Sequence, residues 1–215
     1  MDTVRSVIEN TGIIPVIKLN NPEKDALPLA EALLGGGIPI AEITFRAAGA
    51  DTAIRKIRSA YPEMTVGAGT VICEEQVDRA IDAGASFVIS PGFDPDLVRY
   101  CINKKVPVFP GCTTASEYQL AVKLGLEVVK FFPAEQSGGI EKIKALSAPF
   151  PGLKVIPTGG INLSNLKEYL SCKAVCACGG SYMVSSGLIE NGRWDEIREL
   201  CERSVGIVKE ARGNG

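Results

Sequence analysis

Residues 125–132 read Gly-Leu-Glu-Val-Val-Lys-Phe-Phe, a glycine followed by a short run rich in β-branched and aromatic residues. Such a run is typical of a buried strand, and a glycine just before it can end the preceding helix at low conformational cost. The amphipathic stretch Ala115–Leu124 lies directly before the glycine, and Thr114 with Glu117 provides the hydroxyl and acid of a helix start. The segment therefore predicts a helix followed by a strand, and the same unit recurs along the chain.

Eight short apolar runs are predicted to be strands, and amphipathic stretches of helical length separate them. The predicted strands are Ile13–Ile17, Ile38–Phe45, Thr65–Thr70, Ser86–Ser90, Val106–Phe109, Glu127–Phe132, Lys154–Thr158 and Ala174–Cys178. The predicted helices include Glu23–Leu34, Thr52–Ala60, Glu74–Ala83, Pro95–Asn103, Ala115–Leu124, Leu163–Leu170 and Trp194–Ala211. Strands that alternate with helices pair in parallel and are covered on both faces.

This alternation favours an α/β fold of the TIM (β/α)8 barrel type, in which closure leaves no strand at an edge, although 215 residues is short for that fold. The alternative is an open doubly wound sheet. No Gly-x-Gly-x-x-Gly fingerprint follows the first strand, which weakens a dinucleotide-binding version of that alternative. Length and uniform composition predict a single domain over residues 1–215, with an N-terminal helix at 1–11 and a frayed tail at 212–215.

The composition excludes several classes of function. The net charge is −2 without a basic block, so we expect no nucleic-acid partner. No stretch is long and apolar enough to cross a bilayer, and residues 1–10 lack the apolar core of a signal peptide, so we expect no membrane partner. The seven cysteines form no paired framework, which favours the reducing cytoplasm. Cys172, Cys176 and Cys178 lack a second set of ligands, and we expect neither a metal nor another cofactor.

Lys130 is the first candidate catalytic residue. It shares one face of its predicted strand with Val128 and Phe132, because side chains alternate along a strand. If that face points into the barrel, burial disfavours the charged ammonium, and the neutral amine can attack a carbonyl to form an imine. The alternative interpretation is a lysine at a strand end whose charged head reaches water.

The segment Glu42-Ile43-Thr44-Phe45-Arg46 places an acid, a hydroxyl and a guanidinium on one face of another strand. The chain has no histidine, so acid–base work must fall to other side chains. We interpret Glu42 as the proton carrier and Arg46 as a clamp that holds a substrate carboxylate through two hydrogen bonds. An internal Glu–Arg ion pair that only fills the barrel is the alternative.

Glycine-rich turns follow the late strands. Thr158-Gly159-Gly160 follows the seventh predicted strand, and Gly179-Gly180-Ser181 follows the eighth. In phosphate-binding barrels these two loops bind the phosphate through backbone N–H groups, although tight turns alone would also use glycine. The segment Val66–Thr70 ends the third predicted strand, and the turn Ser90-Pro91-Gly92 follows the fourth. Both lie at carboxyl ends of strands, where the active site of a barrel lies.

These segments together resemble the 2-dehydro-3-deoxyphosphogluconate (KDPG) and 4-hydroxy-2-oxoglutarate (KHG) aldolase family. The matching stretches, in family order, are Gly12–Ile17, Glu42–Arg46, Val66–Val71, Ile89–Gly92, Pro110–Glu117, Val129–Glu135, Pro157–Ile161 and Gly179–Ser181. The combination of Lys130–Glu135 with Pro157–Ile161 is highly specific.

The resemblance implies a class I, metal-independent aldolase, an aldehyde-lyase that forms a Schiff base on Lys130 and uses Glu42 for proton transfer. It implies cleavage of KDPG to pyruvate and glyceraldehyde 3-phosphate, cleavage of KHG to pyruvate and glyoxylate as a further activity, small-molecule partners and a homotrimer. The substrate-binding residues are then Arg46, Thr70, Pro91, Thr158, Gly159, Gly160, Gly180 and Ser181.

Two departures from the family leave the preferred substrate open. Tyr182 stands where many relatives have Trp, and Phe45 stands where Leu is common. The galactonate epimer of KDPG is therefore an alternative substrate. From the residues alone, two other functions also remain open: an isomerase or epimerase on a phosphate-binding barrel, with Glu42 as its base, and a sugar-phosphate sensor without catalysis. The two buried charges argue against the sensor, because they cost stability without a use.

Overall fold

The computed structural model describes residues 2–213, and within that range strands and helices alternate along the chain. The strands are β1 (Ile13–Ile17), β2 (Ile40–Thr44), β3 (Thr65–Gly69), β4 (Val88–Ile89), β5 (Val108–Phe109), β6 (Val128–Phe131), β7 (Lys154–Pro157) and β8 (Cys178–Gly180). The helices are α1 (Asp2–Thr11), α2 (Pro22–Gly35), α3 (Ala50–Ala60), α4 (Glu74–Asp82), α5 (Pro95–Asn103), α6 (Ala115–Lys123), α7 (Gly139–Ser147), α8 (Leu166–Leu170), α9 (Ser186–Glu190) and α10 (Trp194–Ala211).

The strands pair in parallel and close into a barrel. Six of them form one sheet in the order β5-β4-β3-β2-β1-β8, and β6 pairs with β7. Isolated bridges join the β6–β7 pair to the larger sheet on either side: Gly111–Lys130 on one side, and Val155–Val175 and Thr158–Gly179 on the other. The fold is thus the (β/α)8 barrel that eight apolar runs predicted.

Burial of apolar side chains explains why these segments become barrel strands. All five residues of β1 are buried, as are all four of β6, because the barrel interior covers one face of each strand and the helices cover the other. Leu29 and Leu33 of α2 and Ile54 and Ile57 of α3 have exposed fractions of 0–1% and belong to this core. Each such side chain stabilises the fold by roughly 1.5–3 kcal/mol through removal from water.

The helix start predicted before β6 is confirmed. The Thr114 hydroxyl accepts a hydrogen bond from the Glu117 N–H at 3.3 Å, and the Glu117 carboxylate accepts one from the Thr114 N–H at 2.9 Å. These two bonds satisfy donors that a helix start otherwise leaves unpaired, so α6 begins at Ala115.

The predicted position of the eighth strand was wrong. The strand was predicted at Ala174–Cys178, but in the structure it spans Cys178–Gly180. Gly179 and Gly180 therefore lie within the strand and not in a loop after it. The register with β1 decides this, since Ile14 pairs with Gly179 and Pro15 with Gly180. Because glycine has a low strand propensity, the sequence pattern did not indicate a strand at these residues.

The other strand predictions are confirmed with their ends moved by at most two residues. Helix α8 begins at Leu166 and not at Leu163, because residues 162–165 form a turn held by the Asn162 N–H bond to the Asn165 side chain at 2.8 Å. Helices α7 and α9 were not among the predicted helices; two glycines with positive φ, Gly138 and Gly139, open α7.

Helices lie near both ends of the described range. Helix α1 occupies Asp2–Thr11, within the predicted helix at 1–11, and α10 ends at Ala211. Met1 and the end of the predicted frayed tail, residues 214–215, lie outside the described residues. Between residues 2 and 213, none of the helices has the length and apolar character that crossing a membrane requires.

Candidate active site

Lys130 and Glu42 lie side by side inside the barrel. Lys130 is the third residue of β6 and Glu42 the third residue of β2, and the Lys130 Nζ lies 3.4 Å from the Glu42 Oε1. The exposed fractions of the two residues are 5% and 1%. The amine therefore does not reach bulk water, and its charged form has one buried carboxylate as its partner.

Gly69 makes the space that the Glu42 carboxylate occupies. A Cβ atom at position 69 would lie 2.1 Å from the Glu42 Oε1, far inside van der Waals contact. Since β3 pairs with β2 next to Glu42, only a residue without a side chain fits at the end of β3. Gly69 thus has a steric function that the periodicity of the sequence does not show.

A cavity of about 290 Å³ opens beside Lys130. This volume lies at the small end of the range for ligand pockets, about 300–1,000 Å³, and suits a small metabolite. All the residues that the sequence predicted to bind substrate contribute to its walls: Arg46, Thr70, Pro91, Thr158, Gly159, Gly160, Gly180 and Ser181. Residues from five different strand ends therefore converge with Lys130 on one cavity.

Four further residues line the cavity that the prediction did not include: Val16, Phe132, Ile161 and Gly179. The Phe132 ring centroid lies 5.2 Å from the Lys130 Nζ, within cation–π distance. Strand alternation puts Phe132 on the same face as Lys130, so this residue could have been found from sequence. Glu42, by contrast, is almost sealed behind Lys130 and does not appear in the cavity wall.

Arg46 does not pair with Glu42, which removes the interpretation of an internal Glu–Arg ion pair. Strand β2 ends at Thr44, whose hydroxyl donates to the Ile17 carbonyl at 2.7 Å and so ties β2 to β1. Arg46 lies beyond the strand, is exposed, and lines the cavity. Its guanidinium is available to an anion that enters the cavity, because the buried acid is already paired with Lys130.

Thr70 lies at the end of β3 in a conformation that a residue with a Cβ rarely adopts. Its φ is +57°, in the left-handed region. Such a backbone costs roughly 1 kcal/mol or more and persists where the surrounding structure requires it, often at a functional site. Here the consequence is a hydroxyl-bearing residue in the cavity wall, close in the chain to Gly69 and the buried acid.

The loop that follows β7 turns its carbonyl groups away from the cavity. The carbonyls of residues 158 and 159 accept hydrogen bonds from the N–H groups of Ala134 and Glu135 at 2.8 and 3.1 Å. The Gly160 carbonyl accepts from the side-chain amides of Asn162 and Asn165 at 3.1 and 3.0 Å. Each carbonyl of this segment is thus used within the protein.

The N–H groups of residues 159–161 remain without a partner among the residues that the structure describes. Gly159 and Gly160 have φ values of +101° and +83°, conformations that glycine adopts at no steric cost. Both glycines and Ile161 line the cavity. Unpaired N–H groups in a glycine-rich turn form a site of positive potential, which is suited to an anion such as a phosphate.

The cysteines do not form a metal centre. All seven are free thiols, and residues 2–213 contain no cluster of three or more His, Cys, Asp or Glu side chains placed to hold a metal ion. Burial raises the pKa of Cys176 to about 12 and raises that of Cys178 further, so both remain neutral thiols. They act as small buried hydrophobic side chains.

A family model and a curated relative match this chain over nearly its whole length. Residues 4–200 match the model of the KDPG and KHG aldolase family. The 2-dehydro-3-deoxy-phosphogluconate aldolase of Haemophilus influenzae is 43% identical over 210 residues, which cover 96% of this chain and 99% of that protein.

Two solved structures show the same fold. The KDPG aldolase of Legionella pneumophila, with pyruvate captured at low pH as a covalent carbinolamine intermediate, is 41% identical, has a TM-score of 0.89, and the match covers 92% of this chain and 96% of that one. The 2-keto-3-deoxy-6-phosphogluconate aldolase of Zymomonas mobilis, with 3-phosphoglycerate, is 34% identical with a TM-score of 0.90, over 96% and 97% of the two chains.

The family and these relatives are aldolases, which decides against the isomerase, epimerase and sensor functions that the residues alone left open. The family match covers residues 4–200 and so includes all eight strands. This chain therefore belongs to the KDPG and KHG aldolase family and is an aldolase, a carbon–carbon lyase.

Proposed function

We propose that this chain is a class I aldolase that cleaves KDPG to pyruvate and glyceraldehyde 3-phosphate through a Schiff base on Lys130. The observation that carries the proposal is the buried amine of Lys130, 3.4 Å from the Glu42 carboxylate and beside a cavity of metabolite size. Burial of a lysine costs stability, so a buried lysine beside a cavity indicates a function, and imine chemistry is one that needs no metal.

The first stage joins substrate to enzyme. The neutral amine of Lys130 adds to the C2 ketone carbon, the carbonyl electron pair moves to oxygen, and a proton passes from nitrogen to that oxygen to give a carbinolamine. The hydroxyl then takes a second proton and leaves as water, while the nitrogen lone pair forms the iminium bond. Glu42, within 3.4 Å of the nitrogen, is placed to carry both protons. The carbinolamine captured in the Legionella pneumophila enzyme supports this sequence of steps.

The second stage breaks the carbon–carbon bond. Glu42 accepts the proton of the C4 hydroxyl, C4 becomes the aldehyde carbon, and the electron pair of the C3–C4 bond moves into the iminium to form an enamine. The iminium thus serves as the electron sink that a divalent metal provides in other aldolases. Because Glu42 is only 1% exposed behind Lys130, we propose that one water molecule relays this proton. Protonation of the enamine at C3 and addition of water then release pyruvate and restore the amine.

The two ends of the cavity suit the two anionic groups of the substrate. We assign the carboxylate to Arg46 and Thr70, because a guanidinium binds a carboxylate through two parallel hydrogen bonds. We assign the phosphate to the free N–H groups of residues 159–161 together with Gly180 and Ser181. The Zymomonas mobilis enzyme was solved with 3-phosphoglycerate, a molecule with the same two anionic groups, which supports a site of this kind.

The free N–H groups favour a phosphorylated substrate, so we rank KDPG first. KHG carries a carboxylate where KDPG continues to its phosphate, and its cleavage to pyruvate and glyoxylate is proposed as a secondary activity. The galactonate epimer differs from KDPG at C4, the carbon whose hydroxyl loses its proton to Glu42. A panel of these three acids, assayed by coupled detection of pyruvate, measures the order of preference.

We also propose a cytoplasmic homotrimer that acts only on small molecules. Seven free thiols favour a reducing compartment, and family membership supports the trimer. The exposed apolar side chains Ile72 and Val122, with exposed fractions of 63% and 49%, are candidates for burial between subunits. Sedimentation equilibrium tests the assembly, and a mass other than three times that of the chain would reject the trimer.

Borohydride trapping tests the proposed function. Incubation with pyruvate and sodium borohydride should reduce the imine and leave a stable adduct on Lys130, located by peptide mass spectrometry. Lys130→Arg should give no adduct, whereas Lys123→Arg, a change on an exposed side chain of α6, should label like the wild type. Labelling of another lysine, or none in the wild type, would reject Lys130 as the nucleophile.

A further inference from the structure

We infer that Glu135 is a positioning residue, which ties the segment after β6 to the buried Tyr169 of α8 and thereby fixes the loop of residues 158–161. This inference rests on the proposed function, in which the free N–H groups of that loop bind the substrate phosphate. Glu135 does not line the cavity, so it acts on the substrate only through the loop.

The side chain of Glu135 holds the helix that follows the loop. The Tyr169 hydroxyl donates a hydrogen bond to the Glu135 Oε1. Tyr169 is 1% exposed, whereas Glu135 is exposed, so the carboxylate reaches inward to satisfy a buried hydroxyl. Burial raises the pKa of Tyr169, and the bond to Glu135 raises it further, so this hydroxyl remains a donor at physiological pH.

The backbone of the same residue holds the loop itself. The Glu135 N–H donates to the Gly159 carbonyl at 3.1 Å, next to the bond from the Ala134 N–H to the Thr158 carbonyl at 2.8 Å. Its side chain also lies directly against Gly160, where an added Cβ would be 2.3 Å from the Glu135 Cγ. Glu135 thus contacts the loop by a hydrogen bond and by packing, and it holds the following helix through Tyr169.

These contacts matter because the loop would otherwise be free to change conformation. Consecutive glycines at positions 159 and 160 have more accessible backbone conformations than any other pair of residues. N–H groups stabilise an anion best when they are already aligned before it binds, because no free energy is then spent on ordering them. Loss of the hydrogen bond between Glu135 and Tyr169 should therefore weaken phosphate binding, whereas imine formation on Lys130 should continue.

Three variants separate this role from a general contribution to stability. Glu135→Ala and Tyr169→Phe remove the hydrogen bond from either side, and Glu135→Gln keeps an oxygen that can accept from Tyr169. We expect KM for KDPG to rise about three- to tenfold in the first two variants, with kcat within about twofold of the wild type. Glu135→Gln should restore wild-type KM. The control Glu141→Ala changes another exposed acid, which pairs with Lys144 on α7, and should have no effect.

Two readouts that need no cleavage complete the experiment. Trapping of pyruvate on Lys130 should be unchanged in every variant, because pyruvate has no phosphate. Calorimetry with inorganic phosphate should show affinity reduced about three- to tenfold in Glu135→Ala and Tyr169→Phe.

The outcomes distinguish a failure of the inference about Glu135 from a failure of the proposed function. Equal phosphate affinity in the wild type and both variants, or no phosphate binding at all, would overturn the role of Glu135. A matching loss of pyruvate trapping would overturn it too, because it would mean general disruption of the barrel. Wild-type protein that binds phosphate but does not cleave KDPG would instead reject the proposed function. In that case, a reduced phosphate affinity of Glu135→Ala and Tyr169→Phe would still support the positioning role of Glu135.

Discussion

The Lys130 Nζ lies 3.4 Å from the Glu42 Oε1, a separation longer than the roughly 2.7–2.9 Å of a strong charge-assisted hydrogen bond. The two groups are close enough to exchange a proton after a small movement, yet neither is locked to the other. Because the strand of each residue is fixed by the barrel, the nucleophile and the proton carrier that we propose would already be in place when a ketone enters the cavity.

Glu42→Gln tests the proton carrier directly. The amide keeps the shape of the side chain but does not accept a proton, so we expect kcat for KDPG to fall by about 100-fold or more. Imine formation with pyruvate, measured by borohydride trapping, should persist at a lower rate. The control Glu141→Gln should keep full activity, and full activity of Glu42→Gln would exclude Glu42 as the proton carrier.

Gly69→Ala should displace the Glu42 carboxylate without a change in any charged group. The added methyl would lie 2.1 Å from the Glu42 Oε1, so the acid or β3 must move. We expect kcat to fall at least about tenfold and the free energy of unfolding to fall by about 1–3 kcal/mol. Enzyme assays and urea denaturation measure the two effects. Gly187→Ala, at a position open to solvent in α9, is the matched control: kcat should not change, and the free energy of unfolding should not fall.

Arg46→Ala should weaken substrate binding without loss of stability, because Arg46 is exposed and lies beyond the end of β2. We expect KM for KDPG to rise by about 10- to 100-fold, while the free energy of unfolding changes by less than about 0.5 kcal/mol. Arg46→Lys should recover only part of the affinity, since an ammonium does not bind a carboxylate through two parallel bonds. Unchanged KM values in both variants would remove Arg46 from the carboxylate site.

Gly206→Ala should stabilise the protein. Gly206 lies inside α10, is exposed, and has open space where a Cβ would be added. Replacement by alanine reduces the conformational entropy of the unfolded chain, so the free energy of unfolding should rise by about 0.4–1 kcal/mol with no change in activity. Urea denaturation checks the sign, and a decrease in stability would mean that the exposed face of α10 is in contact with a partner.

Stability should fall at alkaline pH because of the buried thiols. Burial raises the pKa of Cys101 from 9.0 to about 11 and those of Cys176 and Cys201 to about 12. A raised pKa in the folded state means that the contribution of these groups is fully present below pH 9 and is lost as pH rises towards 11–12. Urea denaturation at pH 8, 9.5 and 10.5 should show this loss, and constant stability over that series would contradict it.

The same burial predicts the reactivity of the thiols at neutral pH. Cys73 is exposed and Cys172 is half-buried, whereas the other five cysteines are buried. A disulfide reagent should modify Cys73 rapidly, Cys172 slowly and the others only after unfolding. Rapid modification of all seven thiols in the native protein would show that the core is more open than the structure describes.

Buried strands were predictable where their residues are β-branched or aromatic, as in Ile13–Ile17 and Val128–Phe131. A strand inside a barrel is covered on both faces and therefore appears in sequence as a continuous apolar run. The eighth strand was misplaced because its residues are Cys178, Gly179 and Gly180, and its position follows from pairing with β1 and not from its own propensity.

The residues of the cavity were predictable because a barrel brings the carboxyl ends of its strands together. That rule places Lys130, Arg46 and the two glycine pairs at one end without any knowledge of the register. The approach of Lys130 to Glu42 and the space at Gly69 depend on which residue of each strand faces which, and sequence contains no local signal of that. The bond between Glu135 and Tyr169 joins residues 34 positions apart and was hidden for the same reason.

The barrel wall is not equally continuous all the way round. The β6–β7 pair, which carries Lys130, meets its neighbouring strands only through isolated bridges, whereas β2 and β3 pair over five residues. These bridges are Gly111–Lys130 on one side and Val155–Val175 and Thr158–Gly179 on the other. Where few backbone bonds cross between strands, local opening costs the least free energy. Lys130 therefore lies on a strand pair that few backbone bonds join to the rest of the barrel, and small outward movements of this pair would widen or narrow the cavity without unfolding the remaining strands.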